Sequence, residues 1–374
     1  MLISRILFKK VYPTTLIVKL FYFYYNTNMV KNYTLIPYRE VYHGNFDEEW
    51  PPHKKASGWW YITGYLSDKQ NPDHLYSYQY TVAQGRVLGK KAYILHMALS
   101  DLKNDTHLFK QEVRLRRGKK IHANQDKVVY GPYTILSKEQ KQFNLEITTN
   151  DFDLNLKLQK GKGAIWHCDN GVLVMGLPND PKQRTVYYSY TNLPTEGCLI
   201  IRDKSGQTRK LEVVGKSWLD RQYGPFRLLN RASHWEWFSF RFFDEEEIML
   251  FYFPQHPYMD GTYIDKQAQT RRLQNFDIKP KDFVTRGNFN YTFSFGWDVI
   301  IPGIKEERYE LKPLSRGQFN IAYFELLAEI INSKNECVGY CFVELICGAR
   351  NELRLSQQIV NLMKKKNDSL LYRC

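Results

Sequence analysis

No two of the six cysteines stand as CxxC and no histidine pair has zinc spacing, so neither a structural metal site nor any cofactor is expected. The GxSxG elbow of α/β-hydrolases is missing, and with it a visible serine nucleophile. The glycines of "GKGAIWHCDNG", 161–171, lack the spacing and the following helix that a phosphate cradle needs. Long apolar runs are missing as well. "VYPTTLIVKLFYFYY", 11–25, is broken by Lys19, too short to span a bilayer comfortably, and no small-residue cleavage site follows it. Helical periodicity is scarce; the one sustained case is 352–366, where Leu355, Ile359, Leu362 and Met363 share a face.

The chain carries a formal charge of +14, but not in the form that a nucleic-acid surface takes. Residues 1–28 contribute +4 and residues 351–374 contribute +3, while bases and acids are interspersed between them. The dense run "RLRRGKK", 114–120, is broken by Gly118 and reads as a solvated basic hairpin, with polyanion binding the rival. No specific nucleic-acid partner is expected. Residues 1–28 read as an extension upstream of a start at Met29, or as a degenerate signal or anchor offering peripheral membrane contact. Cys341 and Cys347 share strand parity, which suits free core thiols and favours a cytoplasmic setting, with secretion or membrane association the alternative if 1–28 are native.

What the chain does have is aromatic residues, 27 Tyr and 22 Phe, in short apolar or alternating runs between turn signals. The expected fold class is all-β: two successive antiparallel β-barrels with a short C-terminal helix, a single large sandwich being the competitor. The expected divisions are 1–28 as extension, 29–226 as first barrel, 227–350 as second barrel, and 351–374 as basic helix or tail.

Carboxylates recur among the rings: Trp218 with Asp220, Trp235 with Glu236 and Trp237, and Tyr323 with Glu325. Residues two apart on a strand share a face, so Trp218 and Asp220 lie together, as do Tyr188 and Tyr190, while Arg221 points the other way. A carboxyl among indoles is poorly hydrated, which favours its neutral form and raises its pKa.

"GWWYITGYL", "YSYQYTV", "HMALSDL", "YYSYTNLPTEG", "VVGKSWLDRQYG", "WEWFSFRF", "AYFELLAEI" and "GYCFVEL" follow one another from Gly58 to Leu345. In this order the chain resembles the carotenoid hydratase (hydroxyneurosporene synthase) and AttH-type family of tandem lipocalin-like proteins. It departs from that pattern at Gly58, Tyr65, Arg221 and Tyr223, where relatives commonly carry an acid, His, His and Trp. The resemblance implies two lipocalin-like barrels binding a hydrophobic small molecule, an isoprenoid, polyene or polyketide. It also implies acid-assisted hydration, cyclisation or isomerisation of an alkene, a lyase-type activity, with Asp220 as the acid. Glu236 is the second catalytic candidate, and Trp60, His96, Tyr188, Tyr190, Trp218, Trp235, Tyr323 and Glu325 are the ligand-binding candidates. A carrier without chemistry, whose carboxylates cap strands or orient a ligand, is the alternative.

Overall fold

The computed structural model describes residues 43–347, apart from 54–55, 88–89, 115–120, 204, 227–233, 256–257, 288–289 and 321–322. The segment 1–28, the helix expected over 352–366 and most of the basic run 114–120 lie outside these residues.

After one turn of helix, α1 (Phe46–Glu49), everything regular is strand. The first sheet holds β1 (Ser57–Asp68), β2 (Asn71–Val87), β3 (Lys90–Asp101), β4 (Thr106–Arg114), β5 (Ile121–Ala123), β6 (Lys127–Tyr130) and β7 (Thr134–Lys138). It continues with β8 (Gln142–Thr148), β9 (Phe152–Gln159), β10 (Ala164–Trp166), β11 (Val172–Val174), β12 (Arg184–Arg202) and β13 (Thr208–Gly224). The second holds β14 (Glu236–Phe242), β15 (Glu247–Phe253), β16 (Tyr258–Ile264), β17 (Thr270–Leu273) and β18 (Asp277–Arg286). It ends with β19 (Tyr291–Ile300), β20 (Arg308–Pro313), β21 (Gln318–Asn320), β22 (Tyr323–Ile331) and β23 (Cys337–Ile346).

The first sheet runs β4-β3-β2-β1-β13-β12-β9-β8-β7-β6-β5, with β10 and β11 added to β12. The second runs β17-β16-β15-β14-β23-β22-β20-β19-β18, with β21 added to β22. Pairing is antiparallel throughout. Tyr80 and Leu95, from one end of the first sheet, share a core with Tyr130, Leu136 and Leu156 from the other. The sheet must therefore curl upon itself, as a lipocalin-like barrel does. Among the described residues no ladder joins β4 to β5, so the curl is a half-barrel with two edges.

Burial separates two kinds of strand. In β9, Phe152, Leu154, Leu156 and Leu158 are buried and the residues between them face outward, as on a sheet with one wet side. In β14 all seven residues of "EWFSFRF" are buried, and β22 and much of β12 and β13 behave similarly. Strands buried on both faces have a second layer against them. That layer is the other barrel: Tyr61, Tyr187 and Trp218 from the first sheet pack with Trp237, Phe251 and Phe342 from the second in a third core.

The segment "GKG" finds its role at this contact. Gly161 and Gly163 take positive φ, 52° and 89°, in the turn before β10, and a Cβ on Gly161 would lie 2.4 Å from the Asn192 carbonyl. The turn presents Lys162, whose Nζ donates to Glu247 Oε2 at 3.0 Å and to the Asp265 carbonyl at 2.7 Å in the second sheet. Among the described residues no helix is long and apolar enough to cross a membrane.

Candidate functional site

Strand parity decides what each barrel shows the other. Trp60 and Ile62 point into the first interior, so Tyr61 and Thr63 point out of it. Antiparallel register then sets Gln111, His96, Thr81, Tyr61, Asp220 and Ser189 in one row across the outer face of the first sheet. On the second sheet the corresponding row is Gln318, Glu325, Glu344, Trp237 and Phe251. The two rows bring carboxyls and rings together between the barrels.

Asp220 is 3% exposed. Its Oδ1 accepts from Trp218 Nε1 at 2.5 Å and from the Ser189 hydroxyl, and its Oδ2 accepts from Tyr187 Oη at 3.1 Å. Trp237 Nε1 donates in turn to Tyr187 Oη at 3.1 Å, and His167 Nε2 lies 2.8 Å from Ser189 Oγ. Among the described residues no Lys or Arg makes an ion pair with Asp220; Arg241, the basic group acting on it, is held by the Lys216 carbonyl and Thr63 Oγ1. Burial pushes Asp220 up to about 7 despite its three donors. Burial also keeps His167 neutral, lowered to about 3.

A second carboxyl group site lies beside the first. Glu325 and Glu344 face each other across β22 and β23. Glu325 Oε1 accepts from Tyr61 Oη at 2.8 Å and Oε2 accepts from Asn320 Nδ2 at 3.0 Å. Trp235 Nε1 donates to Glu344 Oε1 at 2.8 Å. Burial, reinforced by the facing Glu344, holds Glu325 well above the usual carboxylate range. Burial pushes Glu344 up to about 7, with the Trp235 and Tyr61 donors opposing and the Asp220 charge adding to the rise. Glu344, His96 and Thr81 keep partial exposure, whereas Tyr61, Asp220 and Ser189 are buried, so the site is more open at the Glu344 end.

At that end Tyr323 Oη hydrogen-bonds His96 Nδ1 and accepts from Gln79 Nε2 at 3.2 Å. Burial lowers His96 to about 4, which favours the neutral ring. Trp218 and Trp237 meet edge to face at 6.0 Å, and Trp237 meets Tyr61 likewise at 5.7 Å.

The structure thus gathers Asp220, Trp218, Trp235, His96, Tyr323 and Glu325 between the barrels. It places the other candidates elsewhere. Trp60, Tyr188 and Tyr190 belong to the interior of the first barrel. Glu236 shares the inward face of Phe238 and Phe240, and its Oε1 accepts from Ser294 Oγ at 2.6 Å inside the second. Arg221 also points into the first barrel, over the Trp60 ring at 4.4 Å, donating to the carbonyls of Trp50 at 2.9 Å and Pro51 at 2.7 Å. Its departure from the family pattern therefore leaves the surroundings of Asp220 untouched.

Tyr61, Tyr187, Ser189, His167 and Glu344 join the site without having been candidates. Tyr187 and Ser189 share a face by parity, a signal present in "YYSY", but the sequence offers aromatic residues on both faces there. Among the described residues no group of three or more His, Cys, Asp and Glu is arranged to hold a metal ion.

The model of the AttH-like family matches residues 39–348. A search of curated protein sequences finds no match. A crystal structure assigned as AttH, from Nitrosomonas europaea, aligns with a TM-score of 0.71 and 19% identity, covering 83% of this chain and 98% of its own. The crystal structure of kievitone hydratase from Nectria haematococca aligns with a TM-score of 0.63 and 15% identity, covering 84% of this chain and 96% of its own. Both likenesses carry the tandem lipocalin-like fold.

Proposed function

The chain belongs to the AttH-like family, and from that premise we propose that it binds an apolar, alkene-bearing molecule between its barrels and protonates the double bond through Asp220. The observation that carries this reading is a buried carboxyl, raised to about 7 with no ion-pair partner among the described residues, set against indole and phenol rings. Near neutral pH such a group is protonated in a large fraction of molecules, so it can donate. The fold shared with a hydratase supports the same chemistry.

In hydration the carboxyl proton passes to one alkene carbon, the π pair forms the new C–H bond, and a cation is left on the other carbon. Trp218, Trp237 and Tyr61 offer that cation their ring faces, each worth roughly 0.5–2 kcal/mol, and the new Asp220 carboxylate offers a counter-charge. Water oxygen captures the cation and gives up one proton to a carboxylate, either the newly ionised Asp220, which is thereby restored as the acid, or the neighbouring Glu344 in its ionised form. In isomerisation or cyclisation an adjacent C–H supplies that proton instead.

The rival is a carrier of the same ligand. It is favoured by the three donors already on Asp220, which a purely structural buried carboxyl would also need. Native mass spectrometry after organic extraction identifies the bound molecule. That molecule is then incubated in heavy water with the wild type and with Asp220→Asn. Deuterium gained at carbon by the wild type, and lost by about a hundredfold or more in the variant while binding persists, is the expected result. Equal rates would remove Asp220 as the acid, and no incorporation by either protein would leave the carrier.

A further inference from the structure

Two amide side chains at the Tyr323 end are half satisfied. Gln79 is 1% exposed and Asn320 is fully buried. The Gln79 amide nitrogen faces Tyr323 Oη and the Thr81 hydroxyl, and that of Asn320 donates to Glu325 Oε2. With the amide nitrogens on these oxygens, the opposite ends of both side chains carry the acceptors. Gln79 Oε1 and Asn320 Oδ1 are then left buried and without a donor among the described residues. A buried acceptor without a donor costs about 1–3 kcal/mol. Here one comes from each barrel, and both flank the same phenol beside the partly exposed Glu344 and His96.

We propose that this end of the interface is a subsite for a hydroxyl group on the ligand, whose single O–H proton is shared between the Gln79 and Asn320 amide oxygens while the apolar alkene part lies along Trp235 and Trp237 toward Asp220. The subsite rests on the reading of the interface as a ligand site, and it adds the ligand's chemistry: an alcohol or phenol at one end, hydrocarbon at the other. A hydroxyl fits better than an ammonium. The two free acceptors are uncharged amide oxygens, which take a neutral O–H at a smaller desolvation cost than an ammonium.

The test measures quenching of tryptophan fluorescence in the full chain by farnesol, its hydrocarbon counterpart farnesene, and farnesylamine. Farnesol should bind the wild type roughly five- to tenfold more tightly than farnesene, the worth of one buried hydrogen bond. Gln79→Met and Asn320→Leu should each bring that ratio toward one while farnesene affinity stays. Equal binding of farnesol and farnesene by the wild type would overturn the subsite while keeping the apolar site, whatever the variants do, since ordered water would then be meeting the two oxygens. Tighter binding of farnesylamine than farnesol would overturn it in favour of a cation. Failure of all three probes to bind would remove the apolar site itself and the subsite with it.

Discussion

Tyr61 and Glu325 lie 264 residues apart, yet the phenol of one barrel donates to the carboxyl of the other at 2.8 Å with both residues buried. This bond fixes how the two outer faces meet. Tyr61→Phe keeps the ring and its edge-to-face contact with Trp237 but leaves Glu325 Oε1 without its donor. The variant should lose about 1–3 kcal/mol of stability, read as a lower urea midpoint with an unchanged denaturant slope.

Asp220 gives stability a definite pH dependence. Its pKa is raised from 3.8 to about 7 in the folded chain, so the folded state holds the extra proton between the two values. That contribution is complete below about pH 4 and is lost as pH rises through about 7. Asp220→Asn does not titrate, so its stability relative to the wild type should increase by on the order of 2–4 kcal/mol from about pH 4 to about pH 8. His96 and His167, both lowered by burial, run in the opposite sense but are common to the two proteins. Removing Asp220 also lets Glu344 ionise more readily, since the Asp220 charge adds to its rise. Urea midpoints across that range measure the difference, and a flat difference would mean that Asp220 is not raised.

Much of this was legible in the sequence, and the limit is physical. The Trp218–Asp220 pair, the opposed direction of Arg221 and the raised carboxyl follow from alternation and desolvation within one strand. Alternation cannot say which parity faces a barrel interior. At "YYSY" both parities are aromatic, and the outward pair, Tyr187 with Ser189, is the one that holds Asp220. The acid beside Trp235 in sequence is Glu236, but the acid that its indole reaches is Glu344, 109 residues away. Partners across two packed outer faces are set by register and docking, which no local pattern encodes.

Lys162 clamps the barrels by charge. Its partner Glu247 is fully buried and also accepts from Thr191 Oγ1 at 3.3 Å. Lys162→Met should cost roughly 3–5 kcal/mol by leaving that carboxylate alone, and adding Glu247→Gln should recover part of the loss. Thermal unfolding of both single variants and the double variant checks this; full additivity of the separate costs would contradict it.

Arg221 ties residues 50–51 to the first barrel through carbonyls that lysine cannot hold as a planar fork. Arg221→Lys should speed amide exchange across 43–53 while leaving the turnover proposed for Asp220 within about threefold, because the side chain faces away from the site. A collapse of turnover with unchanged exchange would contradict that placement.

With Asp220 contributed by one barrel and Glu325 and Glu344 by the other, neither half holds the proposed set of acids alone. Expressed apart, each would carry a wet, aromatic stripe with an incomplete set of acids; mixed, they should reassemble it. Gene-level exchange of one half against that of a relative therefore becomes a way to retune what is bound while keeping the opposing wall.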